Sequence, residues 1–94
     1  MPTNNAPTKS EMQEGFARRV RKARRAAGFS TQEALGEVIG MHYSSVSNWE
    51  RALQMCHPTD MWRLAKALGV TTDWLISGDE TFLTQDARRR LRGY

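Results

Sequence analysis

The stretch that decides the fold is Gln32-Glu-Ala-Leu-Gly-Glu-Val-Ile-Gly-Met-His-Tyr-Ser-Ser-Val-Ser-Asn-Trp-Glu-Arg51. Leu35, Val38 and Ile39 recur at helical spacing, which predicts a short helix that buries them. Ser30 and Thr31 both qualify as its N-cap, and Ser30 with Glu33 suits a capping box. Gly40 ends the helix and lets the chain turn sharply. After three connecting residues, a second helix is expected over Ser44 to Arg51, with Val46 and Trp49 on its buried side. Gly36 is small at the place where two such helices must approach closely. Burying Val46 and Trp49 turns Tyr43, Ser44, Ser47 and Asn48 outward. That outward face lacks the Lys and Glu of an ordinary solvated helix.

Working outward from this pair, the flanking segments read as further helices. On the N-terminal side, Met12, Phe16, Val20, Ala23 and Ala27 share one helical face. Ser10 with Gln13 suits a capping box that opens this helix, and Gly28 closes it. On the C-terminal side, Pro58, Thr59 and Asp60 favour a helix start. Met61, Leu64, Ala65 and Leu68 then form the buried stripe, closed by Gly69. Thr72 to Ile76 predicts a short fifth helix ending at Gly78. Thr84 can cap a sixth, with Asp86 in its first turn, Leu83, Ala87 and Leu91 along one side, and Arg88 to Arg92 suiting the negative end of the dipole. No alternating strand pattern occurs. The expectation is an all-α, compact bundle of about five short helices, with an extra C-terminal helix. Its organisation reads as a flexible arm at 1–8, a folded unit at 9–78 and a basic tail at 79–94.

Ninety-four residues suffice for one small domain. Fourteen Lys and Arg against 10 Asp and Glu leave a net charge of +4, which favours polyanionic partners. Arg predominates and clusters at 18–25 and 88–92; its planar fork suits phosphate and guanine. For Arg18, Arg19, Lys22 and Arg25 a solvated helix face is as good a reading as a DNA surface. The same holds for Arg88, Arg89, Arg90 and Arg92. Cys56 is the one cysteine, so no intramolecular disulfide forms, which fits a reducing cytoplasm. No apolar run is long enough to span a bilayer.

Catalysis and metal binding find no support. His42 and His57 are the two histidines. Adjacent Cys56 and His57 make a poor chelate without further ligands. Ser44, Ser45 and Ser47 near His42 lack an orienting acid and an oxyanion-hole motif. We therefore expect no enzyme activity, no cofactor, no metal and no small-molecule ligand.

These pieces together resemble the lambda-repressor-like, or XRE/Cro-type, helix-turn-helix family. The resemblance runs from Phe16 to Gly78. It rests on Arg21 and Arg24 before Gly28, Gln32 to Leu35, Gly40, and Val-Ser-Asn-Trp-Glu-Arg at 46–51. Leu64 to Val70 and Asp73 to Gly78 complete it. The sequence departs from the family pattern in an extra residue between Gly28 and Gln32, in Gly36 where Ala is usual, in Ala52 where Gly is usual, and in an apolar loop at 53–57.

The resemblance implies a sequence-specific transcriptional regulator of double-stranded DNA, a bacterial or phage repressor whose 43–51 helix enters the major groove. Tyr43, Ser44, Ser47 and Asn48 would read bases; Gln32, Arg51 and Arg24 would approach phosphates. Arg24 and Glu50 would form an ion pair that orients the reading helix. A homodimer on a palindromic operator is implied, with Leu75, Ile76, Phe82 and Leu83 as its surface. Trp74, in the same segment, is expected to pack inside its own chain. An antitoxin-like protein-interaction module is the rival reading.

Overall fold

A computed structural model describes residues 6–94. Among them lie six α-helices: α1 Lys9–Ala26, α2 Gln32–Ile39, α3 Tyr43–Glu50, α4 Pro58–Leu68, α5 Thr72–Ser77 and α6 Gln85–Leu91. A single 3-10 turn, Glu80–Phe82, links α5 to α6, and no strand occurs among the described residues.

The helix ends follow from local chemistry, with several displacements from expectation. The capping box of α1 uses Thr8 and Glu11, not Ser10 and Gln13. Thr8 Oγ1 accepts the Glu11 N–H at 3.1 Å, and Glu11 Oε1 accepts the Thr8 N–H at 3.1 Å. Those bonds, the backbone one first, hold the Glu11 carboxyl below its usual pKa. Thr8, expected in the arm, is therefore part of the folded unit; residues 1–5 of that arm lie outside the described residues. At α2 the cap is Thr31, whose hydroxyl accepts the Ala34 N–H at 3.0 Å. Gly40, Gly69 and Gly78 close α2, α4 and α5 in the left-handed conformation that a side chain disfavours.

One core collects every helix. Phe16 and Val20 of α1, Leu35 of α2, Val46 of α3, Leu64 and Leu68 of α4 and Leu75 of α5 are fully buried. Leu83, Ala87 and Leu91 join the same cluster, so the C-terminal segment packs into the core. Burying a Leu or Val side chain is worth roughly 1.5–3 kcal/mol each, and these contacts tie the short helices together. None of α2 to α6 is long enough to be stable alone in water.

Four apolar residues sit differently from expectation. Val38 is 60% exposed rather than buried. The reason is Gly36, whose added Cβ would lie 2.6 Å from the Met41 carbonyl oxygen. That close approach turns α2 so that Leu35, Gly36 and Ile39 face inward and Val38 lies at the edge. Met12, a turn beyond Phe16, lies past the end of the core and is exposed. Leu75 and Leu83, assigned to a dimer surface, are 0% and 5% exposed inside the monomer. Both belong to the buried core cluster, so they leave that surface.

Candidate nucleic-acid interface

Helix α3 begins at Tyr43, one residue earlier than expected, because His42 supplies its N-cap. His42 Nδ1 accepts the Ser44 N–H at 3.2 Å and lies 2.8 Å from Ser44 Oγ. The helix ends at Glu50, with Arg51 as its C-cap. Val46, Trp49 and Glu50 are its buried side. Tyr43 and Ser44 are exposed, and Ser47 and Asn48 are half-buried. The sequence-predicted reading residues thus share one accessible, uncharged face.

A polar seam fixes the direction of that face. Arg24 Nε donates to Glu50 Oε2 at 2.7 Å, and Arg24 Nη2 donates to Glu50 Oε1 at 3.2 Å. Both side chains are buried, at 7% and 1% exposure. Arg24 Nη1 donates to the Phe29 carbonyl at 2.9 Å, and Arg21 Nη2 donates to the Glu50 carbonyl at 3.0 Å. Gln32 Nε2 adds a bond to Glu50 Oε1 at 3.1 Å. Glu50 therefore joins α1, α2 and α3 at one point. Buried charge is tolerated only when paired and hydrogen-bonded, and among the described residues no buried side-chain polar atom lacks a partner.

This seam changes two expected roles. Arg24 was expected near a phosphate, but its guanidinium is buried and turned to Glu50 and Phe29, so it has no reach to a backbone outside. Gln32 commits one amide hydrogen to Glu50 and is half-buried, keeping its second hydrogen at the start of α2. Arg51 stands exposed at the end of α3. Arg21 is half-exposed beside the seam, at 3.8 Å from Glu50 Oε1, with part of its guanidinium open to solvent.

Several arginines have a role that the sequence did not reveal. Arg19 Nε and Nη2 donate to the carbonyls of Leu75 and Ile76, each at 2.7 Å, closing the C-terminus of α5. Arg90 Nη2 donates to the Gly69 carbonyl at 3.0 Å, and Arg88 Nε to the Glu80 carbonyl at 2.9 Å. These cations meet the negative ends of helices and turns, where unpaired carbonyls collect. They act as structural clamps on those carbonyls, beyond simple solvated charge. No local pattern signalled these roles, and for Arg19 and Arg90 the partners lie 56 and 21 residues away along the chain.

The turn after α3 carries Ala52 at φ 57, a left-handed conformation at the position where glycine was expected. Leu53 beyond it is exposed, while Cys56 is buried. Burial first, and Asp60 second, push the Cys56 thiol up to about 12.

Two short helices joined by a glycine turn, the second locked by its buried face and open on its polar one, define a helix-turn-helix protein. The chain belongs to the helix-turn-helix family, whose model matches residues 20–75. Over 74 residues it is 32% identical to the repressor protein C2 of Salmonella phage P22; the match covers 77% of this chain and 34% of that one. The chain thus spans about a third of the length of that curated relative. Its fold is similar to the P22 c2 repressor solved with a synthetic operator, at a TM-score of 0.65 and 31% identity, covering 68% of this chain and 96% of that one. It is also similar to a hypothetical transcription factor, NHTF, from Neisseria, at a TM-score of 0.66 and 25% identity, with 97% of each chain covered. Among the described residues no helix is long and apolar enough to cross a membrane.

Proposed function

We propose that this chain is a sequence-specific transcriptional regulator of double-stranded DNA, a phage or bacterial repressor that inserts α3 into the major groove. The observation that carries the reading is the geometry of α3. Val46, Trp49 and Glu50 hold it from inside, and Tyr43, Ser44, Ser47 and Asn48 present short polar groups and one phenol outside. The similarity to a phage repressor solved on an operator supports the same reading. Arg51 and Gln32 approach phosphates, with Arg21 in place of Arg24. Such a regulator works in the cytoplasm. Binding-site selection from random duplex DNA tests the proposal: one recovered consensus is expected, and equal, salt-sensitive retention of every sequence would overturn it.

The regulator acts as a homodimer on a palindromic operator, with half-sites about 34 Å apart or a multiple of that. Two exposed apolar surfaces compete for the interface. One is Ile76 with Phe82. The other is Trp62 with Val38, beside a groove that also carries Glu37, Arg63 and Lys66. The second is favoured by charge, because its groove carries both signs, Glu37 of α2 with Arg63 and Lys66 of α4, as a self-complementary contact needs. Sedimentation of Trp62→Asp and Ile76→Asp against wild type decides between them. A wild type that stays monomeric on operator DNA would overturn the homodimer.

A further inference from the structure

The cap of α3 carries information about what its first exposed hydroxyl can recognise. A serine hydroxyl normally donates or accepts, and so pairs with any base edge. Here Ser44 is not free to choose. Its backbone N–H points at His42 Nδ1 at 3.2 Å, a geometry satisfied by the neutral tautomer that carries its proton on Nε2 and a lone pair on Nδ1. Ser44 Oγ lies 2.8 Å from the same Nδ1. In that tautomer Nδ1 has no hydrogen, and the Ser44 hydroxyl supplies the one in the contact. Ser44 Oγ therefore turns only lone pairs outward.

The arrangement is a local motif. His57-Pro-Thr59 at the start of α4 repeats it, with His57 Nδ1 accepting the Thr59 N–H at 3.4 Å and lying 2.9 Å from Thr59 Oγ1. Only the His42 copy stands on the face proposed to read DNA. The Tyr43 ring packs beside the His42 ring, with centroids 4.5 Å apart, which also restrains the imidazole.

We infer that His42 is a specificity-determining positioning residue: its Nδ1 accepts the Ser44 hydroxyl hydrogen bond and leaves Ser44 Oγ to act as an acceptor, selecting a base that offers a major-groove amine. The partners of that chemistry are adenine N6 and cytosine N4; guanine O6 and N7 and thymine O4 are disfavoured, since they are acceptors too. This inference rests on the DNA-reading function proposed above.

Atom-by-atom substitution in the selected operator tests it. Each adenine is replaced by purine, which lacks the N6 amine, or by 7-deazaadenine, which lacks the N7 acceptor. Each cytosine is replaced by 2-pyrimidinone, and each guanine by 7-deazaguanine. Affinities are measured for wild type, Ser44→Ala, His42→Asn and His42→Ala. At one base, loss of the amine is expected to weaken wild type by about fivefold to tenfold, the scale of one net hydrogen bond. Ser44→Ala should be insensitive at that base. His42→Asn, whose Oδ1 also caps and accepts the hydroxyl proton, should keep the sensitivity. His42→Ala should lose most of it, with preferences at bases read by Asn48 retained, which shows that α3 is still formed.

Coupling of Ser44 to a deaza substitution instead of an amine deletion would overturn the inference. So would a His42→Ala protein whose amine sensitivity equals that of wild type. Either outcome leaves the DNA-reading function intact. A wild type with no preference at any base overturns both.

Discussion

Arg24 and Glu50 meet in a bidentate ion pair between α1 and α3, with nitrogen–oxygen distances of 2.7 and 3.2 Å and both side chains buried. A pair of this kind holds position more than it adds stability, because desolvation offsets much of the attraction. Losing one partner is another matter. Glu50→Ala leaves the Arg24 charge buried and strips Gln32 of its partner, while the Arg21 bond to the backbone carbonyl of residue 50 remains. We expect a loss of about 3–5 kcal/mol, read from the urea midpoint. A loss below about 1 kcal/mol, the range of exposed pairs, would show that the seam is incidental.

Gly36 allows the turn between α2 and α3. An alanine Cβ there would stand 2.6 Å from the Met41 carbonyl oxygen, a backbone atom that cannot swing aside. Gly36→Ala is expected to destabilise by about 1–3 kcal/mol, despite the better helix propensity of alanine. Thermal unfolding followed by circular dichroism checks this. An unchanged or raised midpoint would mean that the two helices can separate without cost.

Ala52 holds a left-handed conformation at φ 57 with no glycine to ease it. The conformation costs an L-residue about 1–2 kcal/mol, whereas glycine adds roughly 0.5–1 kcal/mol of unfolded-chain entropy. Ala52→Gly should therefore stabilise by about 0.5–1 kcal/mol. Denaturant unfolding should show a higher midpoint with an unchanged slope. A lower midpoint would place the entropy term above the strain.

Asn48 and Arg51 separate base reading from phosphate binding. Asn48→Ala should relax preference at one operator position, at about 1–3 kcal/mol. Arg51→Ala should weaken binding to all sequences alike and reduce the salt slope by about 1. Fluorescence titrations at several salt concentrations, on consensus and scrambled duplexes, distinguish the two. If both variants behave alike, the division of roles on α3 is wrong.

Cys56 makes stability depend on alkaline pH. Its folded thiol is pushed up to about 12 from an ordinary value of 9.0, first by burial and then by Asp60. The unfolded chain loses that proton at lower pH than the folded one. The contribution is thus fully present below the unfolded pKa and is lost as pH rises through the window from about 9 toward 12. The stability difference between wild type and Cys56→Ala should shrink across that range. The native thiol should also react slowly with disulfide reagents near neutral pH, because thiolate is the nucleophile. A constant difference across the window would remove the burial argument.

Much of the site was legible because it is local. The residues that start and stop α2 and α3, the buried stripe of Val46 and Trp49, and hence the outward set of Tyr43, Ser44, Ser47 and Asn48 all follow from helical spacing. The Arg24–Glu50 contact was implied by the family resemblance and then found in the geometry. The caps were legible only to within a few residues, since Thr8 and Ser10, or Ser30 and Thr31, offer the same hydroxyl chemistry.

By itself the sequence determined an all-α chain, its helix order and the glycine turn that aims α3. Backbone hydrogen bonds within a helix span four residues, so periodicity encodes them directly. Tertiary structure alone decided which apolar groups stay outside and which cations are structural. Val38 is exposed because Gly36 seats against Met41, and Leu75 and Leu83 are inside because α5 and α6 both fold back on α1. Arg19 reaches carbonyls 56 residues away, a partnership that no local pattern records. The direction of Arg24 is of the same kind: its charge suggested a phosphate, and the packing of three helices around Glu50 turned it inward.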